Sequence, residues 1–277
     1  MSPEQYCKEK SASSGSSFYY SFLFLDSQRR DAIMALYAFC REVDDIVDND
    51  NDGSIAQTKL NWWKQEIDNT YRNNPQHPVT RSLANFITEY HLEQQYFDLI
   101  IDGMSLDLIK KRYQTNDELE HYCYRAASAV GVLSAQIFGV TQANTLRYAE
   151  VLGLALQKTN ILRDIKEDLD RGRIYIPTES LVKAGIQPDR LQQSIASDNY
   201  KRLILDQIEA IEPIYEQALS LLPDEDKKHQ KAGLIMAAIY KKILKKIARN
   251  PKKAFEQRQT LAPLNKLWIA WRVWSSE

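Results

Sequence analysis

The chain has 277 residues, of which 44% are hydrophobic and 26% charged, with a formal net charge of −1. That is an ordinary globular balance, and the near-zero charge gives no sign of a nucleic-acid partner. Three cysteines, Cys7, Cys40 and Cys123, form neither a disulfide framework nor a metal motif. No apolar stretch reaches the ~18 residues that cross a bilayer, and the first residues lack the apolar run of a signal peptide. A cytoplasmic protein is expected.

In chain order, 3.6-residue periodicity predicts helices over 26–48, 54–73, 78–90, 93–112, 115–138, 142–169, 197–221 and 225–249, with a shorter one over 264–273. Asp26, Ser54 and Thr115 stand as caps, the last with Glu118 as a capping box. Pro75, Pro78, Pro177, Pro188, Pro223, Pro251 and Pro263 fall between periodic segments. No linker, low-complexity run or alternating β-rich block interrupts the pattern. The expectation is one all-α domain over 1–277, a helical bundle.

Two of these helices carry matching acidic faces. In YAFCREVDDIVD, residues Tyr37, Arg41, Asp44 and Asp48 fall at i, i+4, i+7 and i+11. In QKTNILRDIKED, residues Gln157, Asn160, Asp164 and Asp168 fall at i, i+3, i+7 and i+11. Each set lies on one helix face. An acidic face is usually solvated, but Ala38, Phe39, Val43, Ile161, Leu162 and Ile165 flank these acids and predict burial. Buried like charges are costly without a cation. Both columns also sit toward helix C-termini, where the backbone dipole adds to that cost. The residue types suit Mg²⁺, which takes carboxylates, water and substrate phosphates. The inferred site holds a diphosphate through bridging ions.

Three other segments stand out. Ser13–Tyr20, SSGSSFYY, is a hydroxyl- and glycine-rich turn that serves either as a cap or as a phosphate donor. Tyr122–Gly131, YCYRAASAVG, gathers small residues for which spacing alone favours close helix packing over a cavity wall. Gly153, one turn before Gln157, makes room for something, since a mid-helix glycine costs ~1 kcal/mol relative to alanine. A basic helix carries Lys241, Lys242, Lys245, Lys246 and Arg249. Beyond it, KLWIAWRVW places Leu267, Trp268, Trp271 and Trp274 near one face, with Lys266 and Arg272 beside it. That face either packs on the bundle, the more economical reading, or rests on a membrane surface.

YAxCRxxDDxxD, QxxNILRDIxEDxxRGRIYIP, YCYRAASAVG and DGMxxDL together resemble the head-to-head prenyl synthase family of squalene, dehydrosqualene, phytoene and presqualene diphosphate synthases. The resemblance covers nearly the whole chain. Within the family, GSSFYYSFLFL and PQHPVTR are most similar to bacterial presqualene diphosphate synthases of hopanoid biosynthesis.

The resemblance implies a bundle around a deep central cavity. It implies magnesium ions on Asp44, Asp48, Asn160, Asp164 and Asp168, with Asp45 helping. It places Ser17, Phe18, Tyr37, Arg41 and Arg163 on diphosphate, and Gln157 beside the reacting carbons. Tyr122 is implied near the carbocation and in proton removal. Ala126, Ala127, Val130, Gly131 and Gly153 would line the prenyl pocket, reversing the preference from spacing. Tyr175 and Tyr240 would close over the diphosphate with Arg173 adjacent, and Arg258 is the candidate C-terminal arginine.

The implied reaction joins two farnesyl diphosphates into presqualene diphosphate, with Mg²⁺ and without NADPH, and passes its product to downstream isoprenoid enzymes. Phytoene synthesis from C20 substrates, complete NADPH-dependent squalene synthesis and a non-catalytic prenyl-lipid binder remain alternatives. Peripheral contact with the inner face of the membrane is the accompanying expectation.

Overall fold

A computed structural model describes residues 1–12, 18–49 and 52–275. Among them the chain is helical throughout, and the single β-bridge, Arg112 with Ile174, pins a loop rather than a sheet. The helices are α1 (Pro3–Ala12), α2 (Phe18–Phe22), α3 (Ser27–Asn49), α4 (Gly53–Tyr71), α5 (Pro78–Ile87), α6 (Gln94–Ile109) and α7 (Asn116–Cys123). A π-helical turn (Tyr124–Ser128) follows, then α8 (Ala129–Phe138), α9 (Ala143–Asp170), α10 (Thr178–Lys183), α11 (Asp198–Leu221), α12 (Lys231–Arg249), α13 (Pro251–Glu256) and α14 (Pro263–Ser275). Every long periodic segment is helical; α1, α2, α10 and α13, all short, lie outside the segments expected from periodicity.

Caps explain the boundaries. Asp26 accepts from Arg29 N–H at 2.9 Å and starts α3. Asp52, not Ser54, caps α4, its carboxylate accepting from Ser54 N–H at 2.8 Å. Thr115 caps α7, but the Glu118 carboxylate turns to Gln114 N–H and Lys110, so the capping box is only half made.

Two hydrophobic cores lie side by side. One packs α3 against α1, α4, α5 and α6; Phe39 sits edge-on to Trp63 and Phe97, with centroids 5.6 and 5.3 Å away. Truncating so buried a phenylalanine to alanine would cost about 3–5 kcal/mol. The other packs α9 against α8, α11 and α12. Phe18 and Ala126 touch both cores. The acidic helices α3 and α9 therefore belong to different cores and face each other across the seam.

The small residues predicted for packing do pack. A Cβ on Gly153 would lie 2.7 Å from Ser128 Cα and 2.8 Å from Ala127 O; one on Gly103 would lie 3.0 Å from Ala126 N. The π turn is thus clasped between α6 and α9 by two glycines. The sequence suggested one unbroken helix over 115–138; the extra residue of the π turn re-aims Ala126 and Ala127 toward the seam.

Candidate active site

The seam holds two cavities that share Phe18, Tyr37, Arg41, Asp44, Gln157 and Asn160. The outer one, of about 620 Å³, is a polar mouth. The inner one, of about 250 Å³, is an apolar tunnel. Both acidic columns reach the mouth: Asp44 and Asp48 from α3, Asn160, Asp164 and Asp168 from α9. Tyr122, Arg163, Arg173, Tyr175 and Tyr240 line it as well. Ala126, Ala127, Val130, Gly131 and Gly153 line the tunnel. The small residues therefore serve both readings, since close packing of α8 and α9 is what bares their backbone to the tunnel. Ser17 lies outside the described residues.

The carboxylates are not bare, which corrects the argument from buried like charges. Arg41 donates to Asp44 at 2.6 Å and also pairs with Asp45, which turns away from the mouth to Lys10 at 2.9 Å. Asp48 takes Arg173 at 3.1 Å and Arg171 at 3.2 Å. Asp164 takes Arg163 Nε and, from α13's far end, Arg258 Nε, each at 2.8 Å. Among the described residues, no three acidic, histidine or cysteine side chains converge on one point that could hold an ion. Asp168 alone of the four aspartates makes no ion pair among the described residues.

Arginine compensates these acids unequally. Burial, with the neighbouring Asp48 charge, pushes Asp44 up to about 6 despite Arg41. Burial, with the charges of Asp164 and Asp107, pushes Asp168 up to about 7. For Asp164, burial is outweighed by hydrogen bonds and charge from Arg163 and Arg258, so it stays below the ordinary carboxylate range. Asn160 donates to Gln157 Oε1 at 3.2 Å, while its own Oδ1 is buried with no hydrogen-bond partner among the described residues. The mouth thus has unspent hard-oxygen donors on both columns.

The sequence reading missed Asp107 as a site residue. It closes DGMxxDL on α6 and accepts from Tyr175 Oη at 2.6 Å and Tyr122 Oη at 2.9 Å. Burial pushes it up to about 6, against those bonds and the Arg173 charge. Both phenols are raised well above their usual range, by burial first and then by the Asp107 charge. Tyr175 thus lines the mouth while donating to Asp107, and Tyr240 meets Arg163 at 3.4 Å. The signal for Asp107 was its motif; only tertiary structure shows what it holds.

Lys266, read only as a cation beside the tryptophan face of the last helix, is buried, its ammonium 5.1 Å from the Tyr20 ring centroid, and it lines the mouth. Burial and the charges of Arg163 and Arg258 lower its pKa. With Arg41, these three cations line the mouth among its acids, the three arginines paired with Asp44 or Asp164.

Comparison with known proteins agrees with this geometry. The profile of the family described as squalene/phytoene synthase matches residues 11–267. A chloroplastic phytoene synthase of Daucus carota is 33% identical over 94% of this chain and 67% of its own length. Phytoene synthase 1 of Arabidopsis thaliana is 30% identical over 94% of this chain and 63% of its own. The chain thus spans about two thirds of the length of these relatives. A ligand-bound dehydrosqualene synthase superposes with TM-score 0.87 at 27% identity, covering 98% of this chain and 95% of that one. Squalene synthase HpnC from Alicyclobacillus acidocaldarius superposes with TM-score 0.80 at 27% identity, covering 89% and 93%. The chain belongs to the squalene/phytoene synthase family of head-to-head prenyl transferases.

Proposed function

We propose that this chain condenses two farnesyl diphosphates head-to-head into presqualene diphosphate. One observation carries the reading: a polar mouth lined by arginine and aspartate runs into an apolar tunnel, a cavity with the shape and polarity of a prenyl diphosphate. Arg41, Arg163, Arg258 and Lys266 attract the diphosphate and stabilise the charge that grows as the donor's C–O bond breaks. The tunnel holds the tails and keeps water from the allylic cation. The acceptor's alkene captures the donor's first carbon, and loss of one proton closes the cyclopropane. Tyr122, which donates its own proton to Asp107, orients the cation; the lost proton goes to released diphosphate, or to the Tyr122 oxygen as Tyr122 passes its own proton to Asp107.

Magnesium fits the residues present. The donors are carboxylates and the orphaned Asn160 Oδ1, and two of the carboxylates are short of positive charge. An ion here would share its shell between one or two carboxylates and substrate phosphates. Asp44, Asp48, Asn160, Asp164 and Asp168 would hold such ions, which when bound neutralise the leaving group. Incubating the protein with C15 or C20 diphosphate and Mg²⁺, with and without NADPH, tests the reading. The expected product is presqualene diphosphate. Efficient NADPH-dependent squalene formation, phytoene from C20 substrate, or no turnover overturns it in favour of the respective alternative.

A peripheral membrane contact is the second part of the proposal. No helix among the described residues is long and apolar enough to cross a bilayer. On α14, however, Leu264, Trp268 and Trp271 are 79%, 51% and 60% exposed, and Lys242 and Arg272 lie over the Trp268 ring. Trp274 does not share this face; it stacks on Phe24 at 5.3 Å. Flotation with anionic vesicles tests the contact: salt-sensitive binding lost in Trp268→Ser/Trp271→Ser supports it, and no flotation at low salt ends it.

A further inference from the structure

Along the tunnel, one side chain of α9 reaches across to α12. Tyr148 is 1% exposed and lines the tunnel two and a half turns of α9 below Gln157. Its ring crosses from α9 to α12. A methyl group on Gly233 of α12 would stand only 2.7 Å from the Tyr148 hydroxyl oxygen. The glycine leaves just the space that the phenol tip occupies. That hydroxyl is buried with no hydrogen-bond partner among the described residues. Burying it so is unfavourable, and a phenylalanine would avoid the penalty. What the tyrosine gains is reach: the extra atom brings the ring into contact with α12.

The neighbouring groups are committed elsewhere. The Gln230 side-chain amide donates to Ala135 O at 3.0 Å and Gly139 O at 2.8 Å, tying off the end of α8. Just beyond Tyr148, Asp226 fastens the Thr141–Thr145 stretch. An occupant that reaches this level meets the Tyr148 ring where it spans α9 and α12.

The depth can be compared with the substrate. Nine residues separate Gln157 from Tyr148, about 14 Å of helix axis. At the advance of roughly 1.3 Å per bond of an extended chain, the farnesyl main chain spans ~14 Å and the geranylgeranyl chain ~19 Å. The additional isoprene unit is close to one helical turn, and that turn lies beyond Tyr148. Resting on the proposed prenyl-transfer function, we propose that Tyr148, seated against Gly233, is the chain-length stop of this tunnel, admitting C15 and excluding C20 prenyl tails.

The test uses the full chain with Mg²⁺ and, separately, farnesyl and geranylgeranyl diphosphate. Binding is read by titration calorimetry and turnover by lipid product. Wild type favours C15 in both. Tyr148→Ala shifts the C20-to-C15 ratio upward by on the order of tenfold or more, and Tyr148→Phe by a smaller factor in the same direction. Tyr148→Leu, which leaves a smaller void, gives the same shift where the alanine variant does not fold. A folded alanine or leucine variant whose ratio stays within about twofold of wild type overturns the stop. So does a wild type that takes both lengths equally. A wild type that binds both diphosphates by length but turns over neither overturns the proposed function and leaves the stop standing on its binding ratio.

Discussion

Asp226 and Asp168 are carboxylates at opposite ends of α9, and they are held in opposite ways. Asp226 is fully buried beside the start of the helix. It accepts from the backbone N–H of Thr141 at 3.0 Å and of Gln142 at 3.1 Å, and from the hydroxyls of Thr141 and Thr145. Burial alone would raise its pKa; those bonds hold it down to about 2. Asp168 lies in the last turn, where the helix dipole is negative, has no ion pair among the described residues, and is pushed up to about 7. The same group stabilises the fold at one end and strains it at the other. Asp107 stands between the two, with two phenol donors that do not fully offset its burial. A carboxylate kept where it costs stability is the mark of a functional site.

The strongest way to break this contrast is to neutralise the strained acids. Asp44→Asn and Asp168→Asn should each lower kcat/KM by at least about a thousandfold, ~4 kcal/mol of barrier, while the fold persists. Near-normal turnover in both, measured with Mg²⁺ and farnesyl diphosphate, would remove the reason for keeping them.

The anchoring acid should behave in the opposite manner. Asp226→Ala should destabilise the protein by about 3–4 kcal/mol in denaturant titrations, because four donors lose a charged acceptor that holds α9 to the segment before α12. A loss under about 1 kcal/mol would mean that the bonds hold no tertiary structure together.

Next comes the pH dependence of the metal-free protein. The folded pKa of Asp168 is raised from 3.8 to about 7, so the native state binds more protons than the unfolded state across that range. Stability from this group is therefore full below pH 3.8 and is lost as pH rises through about 7. Asp168→Asn should flatten the decline between pH 5 and 8 and add about 1–2 kcal/mol at pH 8. A variant less stable than wild type at pH 8 would show that Arg171 and Arg173 already satisfy the carboxylate.

The smallest effect sharpens the intermediate case. Tyr175→Phe removes one donor from Asp107 and should cost about 1 kcal/mol at neutral pH. The cost should shrink below pH 6, where Asp107 protonates in the folded protein. A pH-independent cost would assign it to packing of the Tyr113–Tyr122–Tyr175 rings, whose centroids lie 5.2–5.7 Å apart.

Legible in the residues alone were the long helices, the two acidic faces and the family. Those features are local: period, caps and motif spacing write α3 and α9 directly, and Gly153 announces a close approach within its own helix. Motif resemblance also pointed to about half of the residues that line the mouth and tunnel. Tertiary structure decided what each of those residues faces. Arg258 meets Asp164 across 94 positions, and Arg173 meets Asp48 across 125, so no local pattern could show the acids already paired. Lys266 and Trp274 sit in one amphipathic segment whose pattern leaves packing and a surface role both open, yet one turns into the mouth and the other onto Phe24. Tyr148 carries no motif at all; its importance exists only because α12 places a glycine opposite its hydroxyl. Hydrophobic pattern fixes which side of a helix is buried, but the partner that waits there is set by how the two cores meet.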